Sequence, residues 1–198
     1  MNLLLVGGFL GSGKTSFILQ LAHHMVEELG IPNIAILENE IGELSVDDKL
    51  LRGAGYEVRG LFSGCVCCTL AGELPATVLQ IERDLHPAWL IMEASGLAFP
   101  GSIRETLESA LQLPCRICAL ADAQRWTRLH RAVQELLEGQ LESADIILVN
   151  KADTVDAETL EAVKTSARAI NGAAPVFAIS AAAPLPSDLL DTVLEKED

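Results

Sequence analysis

The sequence NLLLVGGFLGSGKT at residues 2–15 decides the fold of this chain. Residues 2–6 are almost entirely apolar and predict a buried strand, whereas residues 14–29 carry apolar side chains at helical spacing. Between them, residues 8–15 fit the pattern G-x-x-x-x-G-K-[ST], whose glycines let backbone N–H groups turn toward phosphate oxygens. A Gly-rich turn that matches by chance is the alternative, and the strand and helix on either side argue against it. This segment therefore predicts a nucleotide-binding phosphate loop.

The residues of this loop are expected to bind the phosphates and Mg²⁺. The Lys14 ammonium would reach the β- and γ-phosphates, and the Thr15 hydroxyl would ligate Mg²⁺. The helix that follows adds the positive end of its dipole. The residues that we expect to bind the phosphates are Gly8, Gly11, Ser12, Gly13, Lys14, Thr15 and Ser16.

The same alternation of strand and helix continues along the chain. Apolar runs predict further strands at residues 33–37, 89–92, 115–121, 145–149 and 176–179. Helical spacing predicts helices at residues 74–85, 103–111, 124–137, 157–170 and 185–194. Continuously apolar strands that alternate with helices are typical of a parallel sheet buried on both faces. We therefore predict one α/β domain over residues 1–198, with a doubly wound, mainly parallel sheet of the P-loop NTPase type.

Composition narrows the classes of partner. The chain has 198 residues, 28 of them acidic against 14 Lys and Arg, and its formal net charge is −14. Because attraction to phosphate needs a basic surface, this balance argues against nucleic acid and anionic membranes as partners. The longest uncharged stretch, residues 169–187, contains three prolines and does not fit a membrane-spanning helix. No basic segment with a cleavage site precedes the first strand, so we expect a cytoplasmic protein.

The tetrapeptide Asn150-Lys151-Ala152-Asp153 follows a predicted strand and indicates which base is bound. The Asp153 carboxylate can accept from both N1–H and the 2-amino group of guanine, a donor pair that adenine lacks. Asn150 would lie at the other edge of the base and the Lys151 stem on its face, while Ser180 and Ala181 would close the pocket. The alternative is a polar helix start with Asp153 near the N-cap. GTP is therefore favoured over ATP.

Glu93 ends another apolar strand, and Ala94-Ser95-Gly96 follows it. A carboxylate at this place holds the Mg²⁺ shell directly or through water, and the N–H of Gly96 can sense the γ-phosphate. A solvent-facing acid at a strand end is the alternative. With Lys14 and Thr15, Glu93 completes the set of residues that we expect to serve catalysis.

Three thiols fall within four positions at Cys65, Cys67 and Cys68. Thiolates favour Zn²⁺ and other late transition metals, and a tetrahedral site would need a fourth ligand from water, another subunit or the acidic residues 38–43. Small buried hydrophobic side chains are the alternative. Cys115 and Cys118 lie within an apolar run, so we expect core residues there. None of the four histidines has zinc-ligand spacing.

The chain resembles the CobW-like family of P-loop GTPases, which are relatives of UreG and HypB. The resemblance rests on five motifs in this order: GGFLGSGKT, ENEIGELSVDD, GCVCCT, IMEASGLAFP and NKAD. The resemblance implies a GTP-driven metallochaperone that delivers zinc, cobalt or nickel to a client metalloprotein or a cobalamin-related enzyme. By that resemblance Cys65, Cys67 and Cys68 bind the delivered metal, Zn²⁺ being favoured, with Glu38 or Glu43 as helpers. Longer members continue into a carboxy-terminal domain that we expect to be absent here. Two alternatives stay open: the domain pairs with itself as a homodimer, or a partner protein supplies the missing surface.

Residues 38–69 are predicted to form a switch that couples nucleotide state to metal affinity, because they carry both acids and thiols. The segment includes a predicted extra strand or hairpin arm at residues 56–62. No residue stands out as the group that orients the attacking water, so slow intrinsic GTP hydrolysis is expected. Two rival functions remain: a P-loop small-molecule kinase and a non-enzymatic, thiol-based metal buffer.

Overall fold

The computed structural model describes residues 1–31, 33–38, 57–60 and 73–195. The strands in these ranges are β1 (Asn2–Gly8), β2 (Ile34–Glu38), β3 (Glu57–Gly60), β4 (Trp89–Glu93), β5 (Cys115–Asp122), β6 (Ile146–Asn150) and β7 (Val176–Ala178). The helices are α1 (Lys14–Glu27), α2 (Glu73–Leu85), α3 (Pro100–Leu111), α4 (Trp126–Ala132), α5 (Gln134–Leu141), α6 (Ala157–Ile170) and α7 (Ser187–Leu194). A short 3₁₀ helix spans Ala152–Thr154.

The seven described strands form one sheet in the order β3-β2-β4-β1-β5-β6-β7, and every neighbouring pair is parallel. β1 lies in the middle, between β4 and β5. Parallel neighbours need crossover connections, and among the described residues α1 follows β1 and α3 connects β4 to β5. This arrangement confirms the predicted doubly wound α/β fold of the P-loop NTPase type.

The core has two halves, one on each face of the sheet. Leu3 and Leu5 of β1 pack into one half with α2, α3, α5 and α6, whereas Leu4 and Val6 pack into the other with α1 and α7. Successive side chains of a strand point to opposite faces, so a strand buried on both faces must be apolar throughout. The unbroken apolar run of β1 is explained in this way.

The connections place a crevice beside β1. α1, which follows β1, covers one face of the sheet, and α3, which follows the neighbouring β4, covers the other. Where two adjacent strands send their helices to opposite faces, a crevice opens at their carboxyl ends, and ligands bind there. Pro100 at the start of α3 packs so closely against Gly7 that a Cβ on Gly7 would lie 2.5 Å from its Cγ.

One predicted helix is wrong in its extent. Residues 124–137 form two helices, because Val133 has φ −143° and ψ 48° and interrupts the helical backbone between Ala132 and Gln134. The break lets Trp126 in α4 and Leu137 in α5 pack into the same half of the core. The extra strand predicted at 56–62 is confirmed over Glu57–Gly60.

Cys115 and Cys118 are core residues, as predicted. They lie three residues apart on β5 and face opposite halves of the core, with 3% and 0% of their surfaces exposed. Burial raises the pKa of Cys115 to about 12, and burial likewise raises the pKa of Cys118. Two thiols on opposite faces of a sheet cannot share one metal ion.

Within the described residues, none of the helices is long and apolar enough to cross a membrane.

Candidate functional site

The phosphate loop leaves β1 in a conformation that needs glycine. Gly8, Gly11 and Gly13 have φ angles of 136°, 71° and 98°, in the left-handed region that side chains disfavour. At Gly8 a Cβ would also lie 2.5 Å from the Leu120 carbonyl oxygen, and at Gly13 it would collide with Asn150 Nδ2. The loop therefore packs closely against Leu120 of β5 and Asn150 of β6, and α1 starts directly after it at Lys14.

Lys14, Thr15 and Glu93 meet at the head of the crevice. The Thr15 hydroxyl donates to Glu93 Oε2 at 3.0 Å, and Lys14 Nζ lies 3.6 Å from Glu93 Oε1. Only 5% of the Lys14 side chain and 9% of the Glu93 side chain are exposed. Glu93 stands opposite Val6 in the β1–β4 register, which explains why an acid that ends β4 reaches the loop after β1. The structure thus brings together the three residues predicted to serve catalysis.

The loop after β4 also touches the phosphate loop. A Cβ on Gly96 would lie 2.6 Å from the backbone nitrogen of Leu10, so only glycine allows this approach. Gln140 of α5 holds the loop from behind, because its Nε2 donates to the carbonyls of Gly96 at 2.9 Å and Ala98 at 3.3 Å. Sequence reasoning missed Gln140, and nothing in its neighbourhood in α5 marks it.

Asn150 ends β6 and joins three loops. Its Nδ2 donates to the Ser12 carbonyl at 2.7 Å, and its Oδ1 accepts from the backbone N–H groups of Lys151 and Ala181, each at 2.8 Å. Asn150 is only 3% exposed. Its amide therefore fixes the phosphate loop to the segments predicted to hold the base, and only the second N–H of Nδ2 is not used by these bonds.

Lys151 has a left-handed backbone with φ 63°, which is uncommon for a residue with a side chain and typical of functional sites. Its Nζ donates to Asp122 Oδ2 at 2.7 Å. Asp122 ends β5, and Arg125 Nε donates to the same oxygen at 2.6 Å. Burial disfavours the charged carboxylate, yet the hydrogen bonds from Lys151 and Arg125 outweigh it and hold the pKa of Asp122 below its usual value.

Sequence reasoning missed Asp122 and Arg125. A signal was available for Asp122: like Glu93 and Asn150, it is a polar residue that ends an apolar strand. Because the carboxyl ends of parallel strands lie at one edge of the sheet, that pattern alone places it at the site.

Asp153 lies in the 3₁₀ helix after β6, and it is exposed. The N-cap of α6 is Asp156, whose carboxylate accepts from the Thr159 N–H at 2.7 Å. The helix-start alternative is confirmed in part: the tetrapeptide begins the 3₁₀ helix, whose N-cap is Lys151, and Asp153 lies in its first turn without being an N-cap itself.

Ser180 and Ala181 follow β7, and Gln20 of α1 fixes their loop. Gln20 Nε2 donates to the carbonyls of Ala181 at 2.9 Å and Ala183 at 3.0 Å, while its Oε1 accepts from the Leu185 N–H at 2.8 Å. The helix of the phosphate loop therefore holds the loop predicted to close the base pocket.

The predicted metal ligands are placed only in part. The backbone of Glu38 ends β2 at the same edge of the sheet as Glu93, because Leu37 pairs with Met92 in the β2–β4 register. Glu43, Cys65, Cys67 and Cys68 lie outside the described residues. Within the part of the chain that the structure describes, no three His, Cys, Asp or Glu side chains are grouped to hold a metal ion.

The chain is similar in sequence to a family of nucleotide-binding domains. The family model described as "CobW/HypB/UreG, nucleotide-binding domain" matches residues 2–178. The zinc chaperone YjiA of Escherichia coli is 34% identical over 191 residues, which cover 89% of this chain and 56% of that protein. The zinc chaperone CobW of Sinorhizobium sp is 31% identical over 191 residues, covering 80% of this chain and 53% of that protein. The chain spans about half the length of these relatives.

Solved structures agree on the fold. The hydrogenase maturation factor HypB from Archaeoglobus fulgidus superposes with a TM-score of 0.70 at 15% identity, covering 98% of this chain and 89% of that chain. HypB from Helicobacter pylori in complex with nickel gives a TM-score of 0.69 at 17% identity, covering 98% of this chain and 86% of that chain. At these identities the likeness concerns the fold alone.

Proposed function

Because this chain belongs to the CobW-like family of P-loop GTPases, we propose that it binds and hydrolyses GTP and couples nucleotide state to the delivery of a transition metal. The observation that carries the proposal is the meeting, at one edge of the sheet, of the phosphate loop, Glu93 and the segment that begins with Asn150. β2, which precedes the predicted switch, and β3, which precedes the cysteines, are parallel to β4 and end at that same edge.

The phosphates would lie along the backbone of the phosphate loop, at the start of α1. In the present arrangement Lys14 pairs with Glu93 at 3.6 Å, and we expect Nζ to exchange this carboxylate for the β- and γ-phosphates when nucleotide binds. A hydroxyl and a carboxylate 3.0 Å apart are the hard oxygen ligands that Mg²⁺ prefers, so Thr15 and Glu93 fit that ion. Bound there, Mg²⁺ would neutralise charge on the β- and γ-phosphates.

Guanine would lie between Lys151 and the loop of Ser180 and Ala181, with its N1–H and 2-amino group on Asp153. The exposed Asp153 carboxylate is free of the N-cap role, which leaves it available for a ligand. The unused N–H of Asn150 Nδ2 is a donor for the acceptors on the other edge of the base.

We propose Zn²⁺ as the metal, with Co²⁺ or Ni²⁺ as alternatives, and a metalloprotein as the client. The relatives named as zinc chaperones support zinc. Cys65, Cys67 and Cys68 are the ligands that we propose, with Glu38 or Glu43 as helpers, because clustered thiolates suit zinc. Intrinsic turnover of GTP is expected to be slow.

The substitution Asp153→Asn tests the proposed base recognition. Xanthine has a carbonyl acceptor where guanine has the 2-amino donor, so an amide at position 153 pairs with xanthine instead. The amide oxygen can still accept from N1–H of guanine, but the bond is no longer charge-assisted and the amide N–H faces the 2-amino donor, so GDP binding should weaken about a hundredfold while the affinity for XDP rises. Fluorescence competition with GDP, XDP and ADP measures both effects.

The matched control is Glu158→Gln, an exposed acid near the start of α6 that should leave every affinity unchanged. Equal affinity of the native protein for ADP and GDP would contradict guanine recognition and favour the kinase alternative. GTP turnover that survives Lys14→Ala would contradict the proposed hydrolytic site.

A further inference from the structure

Asp122 has an unusual set of partners for a side chain that is only 1% exposed. Its Oδ2 accepts from Lys151 Nζ at 2.7 Å and from Arg125 Nε at 2.6 Å, and its Oδ1 accepts from the Arg125 N–H at 3.1 Å. A buried carboxylate is costly unless it is paired, and here two cations share one oxygen. The carboxylate therefore fixes the positions of both cations.

The far end of Arg125 reaches the phosphate loop. Its terminal nitrogen donates to the Leu10 carbonyl at 2.6 Å, and a Cβ on Gly11 would lie 3.1 Å from that same nitrogen. The Leu10 side chain is 62% exposed, so packing of that side chain does little to hold this part of the loop. The guanidinium, anchored at Asp122, is thus a strut between the end of β5 and the backbone at residues 10–11.

The other partner, Lys151, belongs to the base side of the site. Its left-handed backbone and the hydrogen bond from its N–H to Asn150 fix where its side chain begins, and Asp122 fixes where it ends. The stem between these two points is the part proposed to pack on the face of the base.

We propose that Asp122 and Arg125 are positioning residues that couple base recognition to the phosphate loop: Asp122 orients Lys151 toward the base and Arg125 toward the Leu10 carbonyl. This inference rests on the proposed function. The two cations that Asp122 holds, Lys151 and Arg125, then have different effects. Loss of Lys151 affects the affinity for guanine nucleotides, loss of Arg125 affects the geometry in which the phosphates react, and loss of Asp122 affects both.

The test compares Lys151→Ala, Arg125→Lys and Asp122→Asn by steady-state GTP hydrolysis and by GDP and ADP competition binding. A lysine at position 125 keeps the charge but cannot donate from one planar group to both Asp122 and Leu10. Arg125→Lys should lower kcat about tenfold while KM changes less than about threefold. Lys151→Ala should weaken GDP binding about tenfold and leave kcat within about twofold. Asp122→Asn should show both losses.

The double variant Asp122→Asn/Arg125→Lys tests most directly whether Asp122 and Arg125 act together. If the two residues act as one strut, its kcat should match that of Asp122→Asn alone. Additive losses in kcat would overturn the coupling, and so would an unchanged kcat in Arg125→Lys or equal effects of every variant on kcat and KM. Arg128→Lys, at an exposed position in α4, the helix that Arg125 precedes, is the matched control and should behave as the native protein.

Two further measurements separate failure of this inference from other failures. Urea unfolding of each variant shows whether it folds; if Asp122→Asn does not, Arg125→Lys and Lys151→Ala still decide the split between kcat and affinity. If the native protein shows no guanine preference and no turnover that depends on Lys14, the proposed function fails instead. Normal native activity with unaffected strut variants contradicts the strut alone.

Discussion

Replacement of Asn150 by alanine should destabilise the nucleotide-free protein, because this side chain is a structural joint as well as a proposed ligand. It satisfies the Ser12 carbonyl in the phosphate loop and the N–H groups of Lys151 and Ala181, at 2.7 Å, 2.8 Å and 2.8 Å. Two of these hydrogen bonds, those to Ser12 and Ala181, are buried. Alanine leaves all three backbone groups without this partner.

The expected cost follows from counting those groups. A buried polar group left without a partner costs about 1–3 kcal/mol, whereas the partly buried Lys151 N–H can turn to water at little cost. Two buried groups therefore give about 2–6 kcal/mol, a large part of a typical stability of about 5–15 kcal/mol. With a urea m-value of about 2 kcal/mol per molar, the unfolding midpoint should fall by about 1–3 M.

Urea unfolding without nucleotide, followed by circular dichroism, measures this shift. Asn2→Ala is the control, because its amide makes one exposed hydrogen bond, to the Ala88 carbonyl at 3.3 Å, and its loss should cost less than about 0.5 kcal/mol. A midpoint for Asn150→Ala within about 0.3 M of the native value would refute the reasoning. It would mean that water or local relaxation satisfies these groups and that the joint carries little energy.

Two further predictions concern the base loop and the core thiols. Gln20→Ala removes three hydrogen bonds to the loop of residues 181–185, so GDP affinity should fall about tenfold with kcat nearly unchanged. The control is Gln80→Ala, on the exposed face of α2. Equal GDP affinity in the two variants would contradict the role of Gln20 in holding this loop. Cys115 has a folded pKa of about 12, above that of an exposed thiol, so its stabilising effect is complete below about pH 9 and is lost as the pH rises toward 12. Urea unfolding at pH 8, 9, 10 and 11 should show this loss above pH 9, where Cys115→Ala should flatten the fall in the free energy of unfolding by up to about 1.4 kcal/mol per pH unit. An equal slope in both proteins would show that the thiol ionises freely when folded.

Much of the fold could be predicted because each part of it leaves a local pattern. β1 and the strands near it are mostly apolar, which indicates a sheet covered on both faces. The alternation of strand patterns with helical patterns along the sequence gives the order of the elements. The break at Val133 left no such pattern, because the residues on either side continue the helical spacing. It depends on how Trp126 and Leu137 reach one core, which only the tertiary structure decides.

The site was predictable where it depends on the backbone and less so where it depends on distant side chains. Lys14, Thr15 and Glu93 belong to segments with recognisable patterns, and the structure brings them together. Arg125 contacts Leu10 across 115 residues, and Gln20 contacts Ala181 across 161, so no local pattern reports these bonds. The partners of such residues depend on how distant loops pack together in three dimensions. The alternation of polar and apolar side chains within each loop gives no sign of these contacts.

The proposed coupling between nucleotide state and metal affinity is tested most directly by calorimetric titration of Zn²⁺. The protein would be titrated anaerobically with Mg²⁺ present, once with GDP and once with a non-hydrolysable GTP analogue. We predict Zn²⁺ dissociation constants that differ at least about fivefold between the two states, and a GTP-analogue affinity, measured relative to that of GDP, that zinc changes by the same factor. The same dissociation constant for Zn²⁺ in both states would contradict the account.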